Sequence, residues 1–446
     1  MVLSKHDRAR AQGQKMAEAM ASGLNLATLP AGSAQLQKLR EKGLKSFLQS
    51  GVPTPSEEAW KYTNLAPLAK QNFENVGAPC ATGDLAGLLR KGSYAGRIVT
   101  VNGHVSAELS DLSTLPEGVS LEPTANVLKT APKWAENYFK ADMKARENAL
   151  TALNTALMAD GFALRVAAGV KVQKPIDVLH VTSGKEQAHI RCLFDVADGA
   201  EVTITETFSQ HDSSWCNSVT EGKFGKGAKV RLYRRQDVAS EAFLTTDSNF
   251  TLTEKTTLEA LTLNSGGLRL VNTANIALNG EKAHVTYDGG CLTRNGRHGD
   301  SRVLVSHNAP NATADVTHRH VVGSDGHSIF QGKFYVAEGA DGTDAKMMSQ
   351  NLLLSDTGKI DSKPELEIYA DDVKCAHGAT CGNLNETALF YLQSRGIPAL
   401  SAQAMLIEGF LEDLLSHVHD THTHVAMSRQ IHSWMQTMKM TKSAES

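Results

Sequence analysis

Three side chains able to hold a metal ion or handle sulfur crowd into one short stretch near the end of the chain, YADDVKCAHGATCG: Cys375, His377 and Cys381. A β-strand points alternate side chains to one face, so Cys375 and His377 would stand side by side, about 6 to 7 Å apart along the backbone. Lys374 would point to the opposite face. Thiolate and imidazole suit iron or zinc, and an imidazole beside a thiol can also activate it as a nucleophile. Cys381 has the same parity, but Gly378 and Gly382 interrupt the pattern and leave its direction open. The same Cys-x-His spacing also describes a small buried thiol packed beside a satisfied histidine.

Two histidine groups offer weaker chemistry. In ADVTHRHVV, His318 and His320 share a strand face, with His307 and His327 nearby in sequence. Such a pair reads either as a metal site or as part of a half-exposed sheet. The tail segment SHVHDTHTHV holds His417, His419, His422 and His424, able to take nickel or zinc or to form a solvated, pH-responsive surface. Nucleotide chemistry finds no support. GKFGKGAK, at 222–229, lacks the Ser or Thr after Gly-Lys and the following helix of a phosphate loop. Neither a G-x-S-x-G elbow nor an H-E-x-x-H helix is present, so the sequence displays no self-sufficient enzyme.

The elements that must position these residues belong to an ordinary globular chain. Its 446 residues are 41% hydrophobic and 21% charged, enough for two or three domains or one elongated one. A formal net charge of -3 gives no general attraction to nucleic acid or anionic membrane. The polar start, MVLSKHDRARAQGQKMAEAMA, has no apolar targeting core, and no window reaches the roughly 20 apolar residues of a bilayer span. The expected location is cytoplasmic. Six cysteines over this length are too sparse for a disulfide framework, and a reducing compartment would keep them as thiols.

Along the chain, 1–161 reads as mostly helical. Ser33 caps a run carrying Leu36, Leu39, Leu44, Phe47 and Leu48, and Gly51 stops it before Pro53. RIVTVNGH, at 97–104, reads as an isolated strand ending in a turn. PKWAENYFKADMKARENALTALNTALMADG reads as one helical stretch from Pro132 to Gly161. From 162 to 384 some dozen short β-prone runs alternate with Gly, Asp and Asn turns, and no fixed-length repeat stands out. Periodicity alone admits a sandwich, a barrel or a β-solenoid. From 385 to 446 the chain is helical again: NETALFYLQSRG stops at Gly396 and Pro398, and Ser401 opens a helix with Leu406, Phe410 and Leu414 on one side.

Several stretches taken together resemble the SufD family, subunits of the SUF iron–sulfur cluster assembly scaffold. They are GVPTPSEEAWKYTNL, with Trp60, Lys61 and Tyr62; RIVTVNGH; ALNTALMADGFALRVAAGVKVQKPIDVLHV; FQGKFYVAEGADGTDAKMMSQNLLLSDTGKIDSKPELEIYADDVKCAHGAT; and LFYLQSRGI. The sister subunit SufB shares the PELEI and HGAT features; the N-terminal Cys-x-x-Cys of many SufB sequences is missing here, and the order of motifs is closer to SufD. The resemblance implies a mainly β fold, a right-handed β-helix core flanked by N- and C-terminal helical regions, and a non-enzymatic scaffold. It implies pairing with SufB through the β core, docking of the ATPase SufC on the C-terminal helical region around Leu406, Phe410 and Leu414, and a transient iron–sulfur cluster shared with SufB at Cys375 and His377. No cofactor would be tightly bound to the isolated chain, whose self-pairing stays open, and no nucleic acid or membrane partner is implied. Cys381 departs from the family pattern and reads as packing. The competing class is a β-helix hydrolase or lyase using His318, His320 or Cys375, which would need a groove of acidic and basic side chains along parallel strands.

Overall fold

A computed structural model describes residues 5–22, 24, 26, 29, 33–73, 89, 93–139 and 148–443. From Asp160 onward the chain alternates strand and tight turn through sixteen strands that end at Asn383. Each strand pairs in parallel not with the next strand but with the one after it, which sorts them into a ten-stranded and a nine-stranded sheet. Two strands and two corners make one turn, and the body is a β-solenoid of about eight turns.

The geometry contains the repeat that the sequence hides. Stacked partners lie 28 residues apart over much of the body, as in Arg231 and Glu259. What recurs is the alternation of inward and outward side chains and the corner conformation, not residue identity. Corners fall at left-handed residues such as Gly199, Gly227, Lys255 and Asn311. At Gly266 a glycine is obligatory: φ is +86°, and a Cβ would sit 1.8 Å from the carbonyl oxygen of Val238. Inward residues from both sheets form one continuous core, running from Ile98 and Phe162 through Phe208, Phe250 and Ile276 to Phe334 and Met347.

Helices cover the outer faces. Helix Ala34–Ser50 begins where Ser33 accepts a bond from the Leu36 N–H and ends at Gly51, as the capping signals lead one to expect. Its Phe47, with Trp60 and Leu153, packs toward Trp215 and Phe243 of the nine-stranded sheet. At the other end, helices Ala399–Leu415 and Thr421–Ser443 lay Ile407, Leu411, Leu414, Ile431 and Trp434 on Tyr233, Leu261 and Leu292 of the ten-stranded sheet.

Four sequence expectations are corrected. The stretch 132–161 is not one helix: Lys133–Asn137 is a 3-10 turn, Ala149–Leu157 is a short buried α-helix, and 140–147 lie outside the described residues. Gly161 is no stop signal but a strand residue at φ +142°, where a Cβ would meet the Arg191 carbonyl oxygen at 2.2 Å. The strand in RIVTVNGH is not isolated: Gly96–Val101 pairs with Ile176–Thr182 and joins the larger sheet. The long C-terminal helix opens at Pro398 rather than Ser401, because proline supplies a ready φ at the helix start.

Candidate functional site

A parallel solenoid must finish somewhere, and its last turn lacks the next one to lie against. Here that turn consists of Lys359–Ile368 and Val373–Asn383, the terminal strands of the two sheets. On their outward edge the backbone N–H and C=O groups have no strand partner among the described residues. By register, Ser362, Pro364 and Leu366 stack over the inward Phe330, Gly332 and Phe334. Cys375 and His377 stack over Ala345 and Met347, both fully buried.

Cys375 and His377 therefore share the inward column that spacing suggested, on a turn whose inward side chains meet solvent. Cys375 is half-buried against the main core, whereas His377 is exposed. Burial, with Asp344 nearby, pushes the Cys375 thiol above its ordinary value, so it waits protonated until a metal or base takes the proton. The strand does not break at Gly378. It runs to Asn383 and keeps Cys381, exposed, on the inward column over Asn351. Lys374 pairs in register with Asp344 on the outward face. A groove of about 370 Å³ beside the rung is lined by Asp315, Lys346, Met348 and His377.

The C-terminal helix turns part of its apolar side inward. Leu414 is buried on the solenoid, Phe410 packs at the edge of that contact, and Leu406 is half-buried. Arg319 fastens the helix through the Phe410 carbonyl and Asp413. The large apolar side chains left in solvent there are Phe390, Tyr391, Leu400 and Met405, with Phe390 72% exposed.

Other sequence candidates separate. His318 and His320 point into the solenoid and are buried. His327 pairs with Asp361 on the outside. The tail histidines do not converge: His417 bonds Asp288 at 2.7 Å, and His424 lies 3.3 Å from Glu412. A groove of about 630 Å³ does cross the nine-stranded sheet, the feature a β-helix lyase would need. Its charges are occupied: Lys363 with Glu58 and Glu365, Lys333 with Glu367, Arg302 with Asp300, and Asp247 with Thr151. Neither His318, His320 nor Cys375 lines it.

Sequence reasoning missed one group. His180, Cys192 and Glu206 come from three successive strands and place their ligand-type atoms within 4.8 Å of one another in the interior. Burial alone would raise the Glu206 carboxyl, but Arg234 at 2.7 Å and His180 hold it down to about 2. Thr100 bonds the other His180 nitrogen. Only the 28-residue stacking of Glu206 under Arg234 could have exposed this network.

Comparison with known proteins gives a consistent picture. Residues 179–410 match the family described as SUF system FeS cluster assembly, SufBD core domain, and residues 27–178 match the SufBD protein N-terminal region. The chain is 28% identical to the iron-sulfur cluster assembly protein SufD of Escherichia coli K12, across 85% of this chain and 88% of that one. It is 26% identical to an iron-sulfur cluster assembly SufBD family protein of Synechocystis, across 82% and 84%. With the chloroplastic protein ABCI7 of Arabidopsis thaliana it shares 24% identity, across 88% and 84%.

Proposed function

Because the chain belongs to the SufBD family of SUF-system iron–sulfur cluster assembly proteins, we propose that it is a non-enzymatic scaffold subunit that offers its last solenoid turn to a SufB-type partner. The nascent cluster is cargo, built where the two chains meet. The observation that carries this reading is the coincidence of a bare strand edge with Cys375 and His377 on one accessible column. The edge supplies backbone groups for pairing, and the column supplies a thiol and an imidazole that can enter an iron coordination sphere. An incoming iron ion would take the place of the Cys375 proton, which leaves to solvent, and His377 would ligate through a ring nitrogen.

Energy would come from a separate ATPase of the SufC type, since this sequence carries no phosphate loop. The docking surface lies on the exposed apolar residues Phe390, Tyr391, Leu400 and Met405, while Leu406, Phe410 and Leu414 act from beneath by holding the helix on the solenoid.

The test is co-expression with a SufB-type protein and its ATPase. Cys375→Ala and His377→Ala should preserve complex formation and melting temperature yet lower cluster content at least about ten-fold, the scale expected when metal-site support is lost. Normal cluster content in both variants would withdraw the site. The purified chain alone should show no ATP hydrolysis above that of a mock preparation.

A further inference from the structure

We propose that His318 and His320 form a buried two-imidazole site for a soft monovalent transition-metal ion, copper(I), inside the solenoid two turns below its open end. Both rings are inward-facing and buried, His318 to 3% and His320 to 0% exposure. His318 lies 4.6 Å from the Phe330 ring and over Gly289, where a Cβ would come within 2.2 Å of its Cε1. The missing side chain at 289 is what admits the imidazole. His320 Nδ1 is paired with the Ser328 hydroxyl at 2.7 Å. The remaining three nitrogens, both of His318 and Nε2 of His320, have no hydrogen-bond partner among the described residues. Buried nitrogens of this kind are uncommon in folded proteins and call for an occupant.

Geometry and charge select the ion. The ring centres are 6.0 Å apart. An ion about 2.0 Å from an imidazole nitrogen lies ~3.2 Å from the ring centre, so one ion bridging two rings at a wide angle requires a separation near 6 Å. Burial keeps both imidazoles neutral, pushing His320 down to about 4 and His318 well below its ordinary value. The carboxylate that acts on His320 is Asp300, already matched by Arg302. A divalent ion would bring an uncompensated charge into the core, whereas copper(I) brings the smaller one and accepts two imidazole nitrogens in line, while burial keeps the neighbouring Cys291 thiol protonated. Binding needs no proton release, because the receiving lone pairs are free.

Polar side chains separate the pair from the open end, with Ser349 and Asn351 buried between them. His320 stacks in register under Asn351, which stacks under the exposed Cys381; His318 stacks under Ser349 and Ala379. With strands ~4.8 Å apart the site is about 10 Å from the opening, and Cys381 stands at the mouth.

The test loads the full-length, metal-free chain with copper(I) anaerobically, then strips surface sites with a copper(I) chelator. The wild-type chain and Cys375→Ser/Cys381→Ser should each retain about one equivalent, with nitrogen-only two-coordinate X-ray absorption. His318→Leu should retain none, and its metal-free form should melt at or above the wild-type temperature, since it removes orphaned nitrogens. No retained copper in the wild type, equal retention in His318→Leu, or retention of zinc(II) in preference to copper(I) would overturn the site. Sulfur scatterers around the retained ion would overturn it whatever the variant does.

Discussion

The two ends of the solenoid are built to opposite rules. At the first turn, Gly96–Val101 is buried at every position, and antiparallel segments, His104–Val105 and Val119–Pro123, close the edges of both sheets. At the last turn, Val373–Asn383 has no fully buried residue, and among the described residues no strand lies against its outer edge. The first end is finished by the chain itself, and the last has no such covering strand among the described residues. Exposed strand edges are ordinarily blunted because they invite association; in the proposed scaffold reading, the bare edge beside a thiol and an imidazole is the working surface.

Acid should separate the enclosed body from the open end most strongly. Burial lowers His189 and His298 to about 3 and His307 and His320 to about 4. Their folded values lie below the unfolded value of about 6.5, so the unfolded chain takes up protons first. Their contribution is complete above that value and shrinks as pH falls toward the folded values. At pH 5.5 each costs roughly 1 kcal/mol, so the four together remove several kcal/mol. Urea titrations at pH 7.5 and 5.5 measure this, and a pH-independent midpoint would break the contrast.

Next in size is the interior charge network near the closed end. Arg234→Met leaves Glu206 buried without its guanidinium partner and should cost about 3 to 5 kcal/mol, whereas Arg234→Met with Glu206→Leu should fall close to wild type. The readout is equilibrium unfolding of all three chains. A single variant as stable as the double would mean that the pair is not coupled.

The smallest effect sharpens the comparison directly. Phe162→Ala removes a fully buried ring near the first turn and should cost about 3 to 5 kcal/mol. Leu366→Ala, in the same inward role on the last turn, should cost about 1 kcal/mol in the isolated chain, since its side chain remains half in solvent. Similar losses in melting temperature would show that the last turn is covered in solution.

What was legible in the sequence was local. Ser33, Gly51 and Asn385 mark helix ends through bonds to residues within four positions, and alternation marked the β body. Cys375 and His377 were legible as a same-face pair for the same reason. Their exposure was not, because it depends on the absence of a further turn. The solenoid repeat escaped notice because one stacked column can read Cys291, His320, Asn351, Cys381: each position demands an inward direction, not a residue type. Helical pattern across 132–161 misled because Ala149–Leu157 is buried on all sides, so its apolar spacing does not reveal where it ends.

The stacking of each strand only on its neighbours has a thermodynamic consequence. Stability in such an array is close to a sum of terms for single turns and for adjacent pairs, and an end turn lacks one of its pair terms. Fraying should therefore start at 359–383 and travel inward, while the closed end acts as a clamp. Amide hydrogen exchange would then show a one-sided gradient of protection along the axis, steepest over the last two turns. A bound partner would supply the missing pair term and flatten that gradient, so association would be felt several turns away without any change in backbone path.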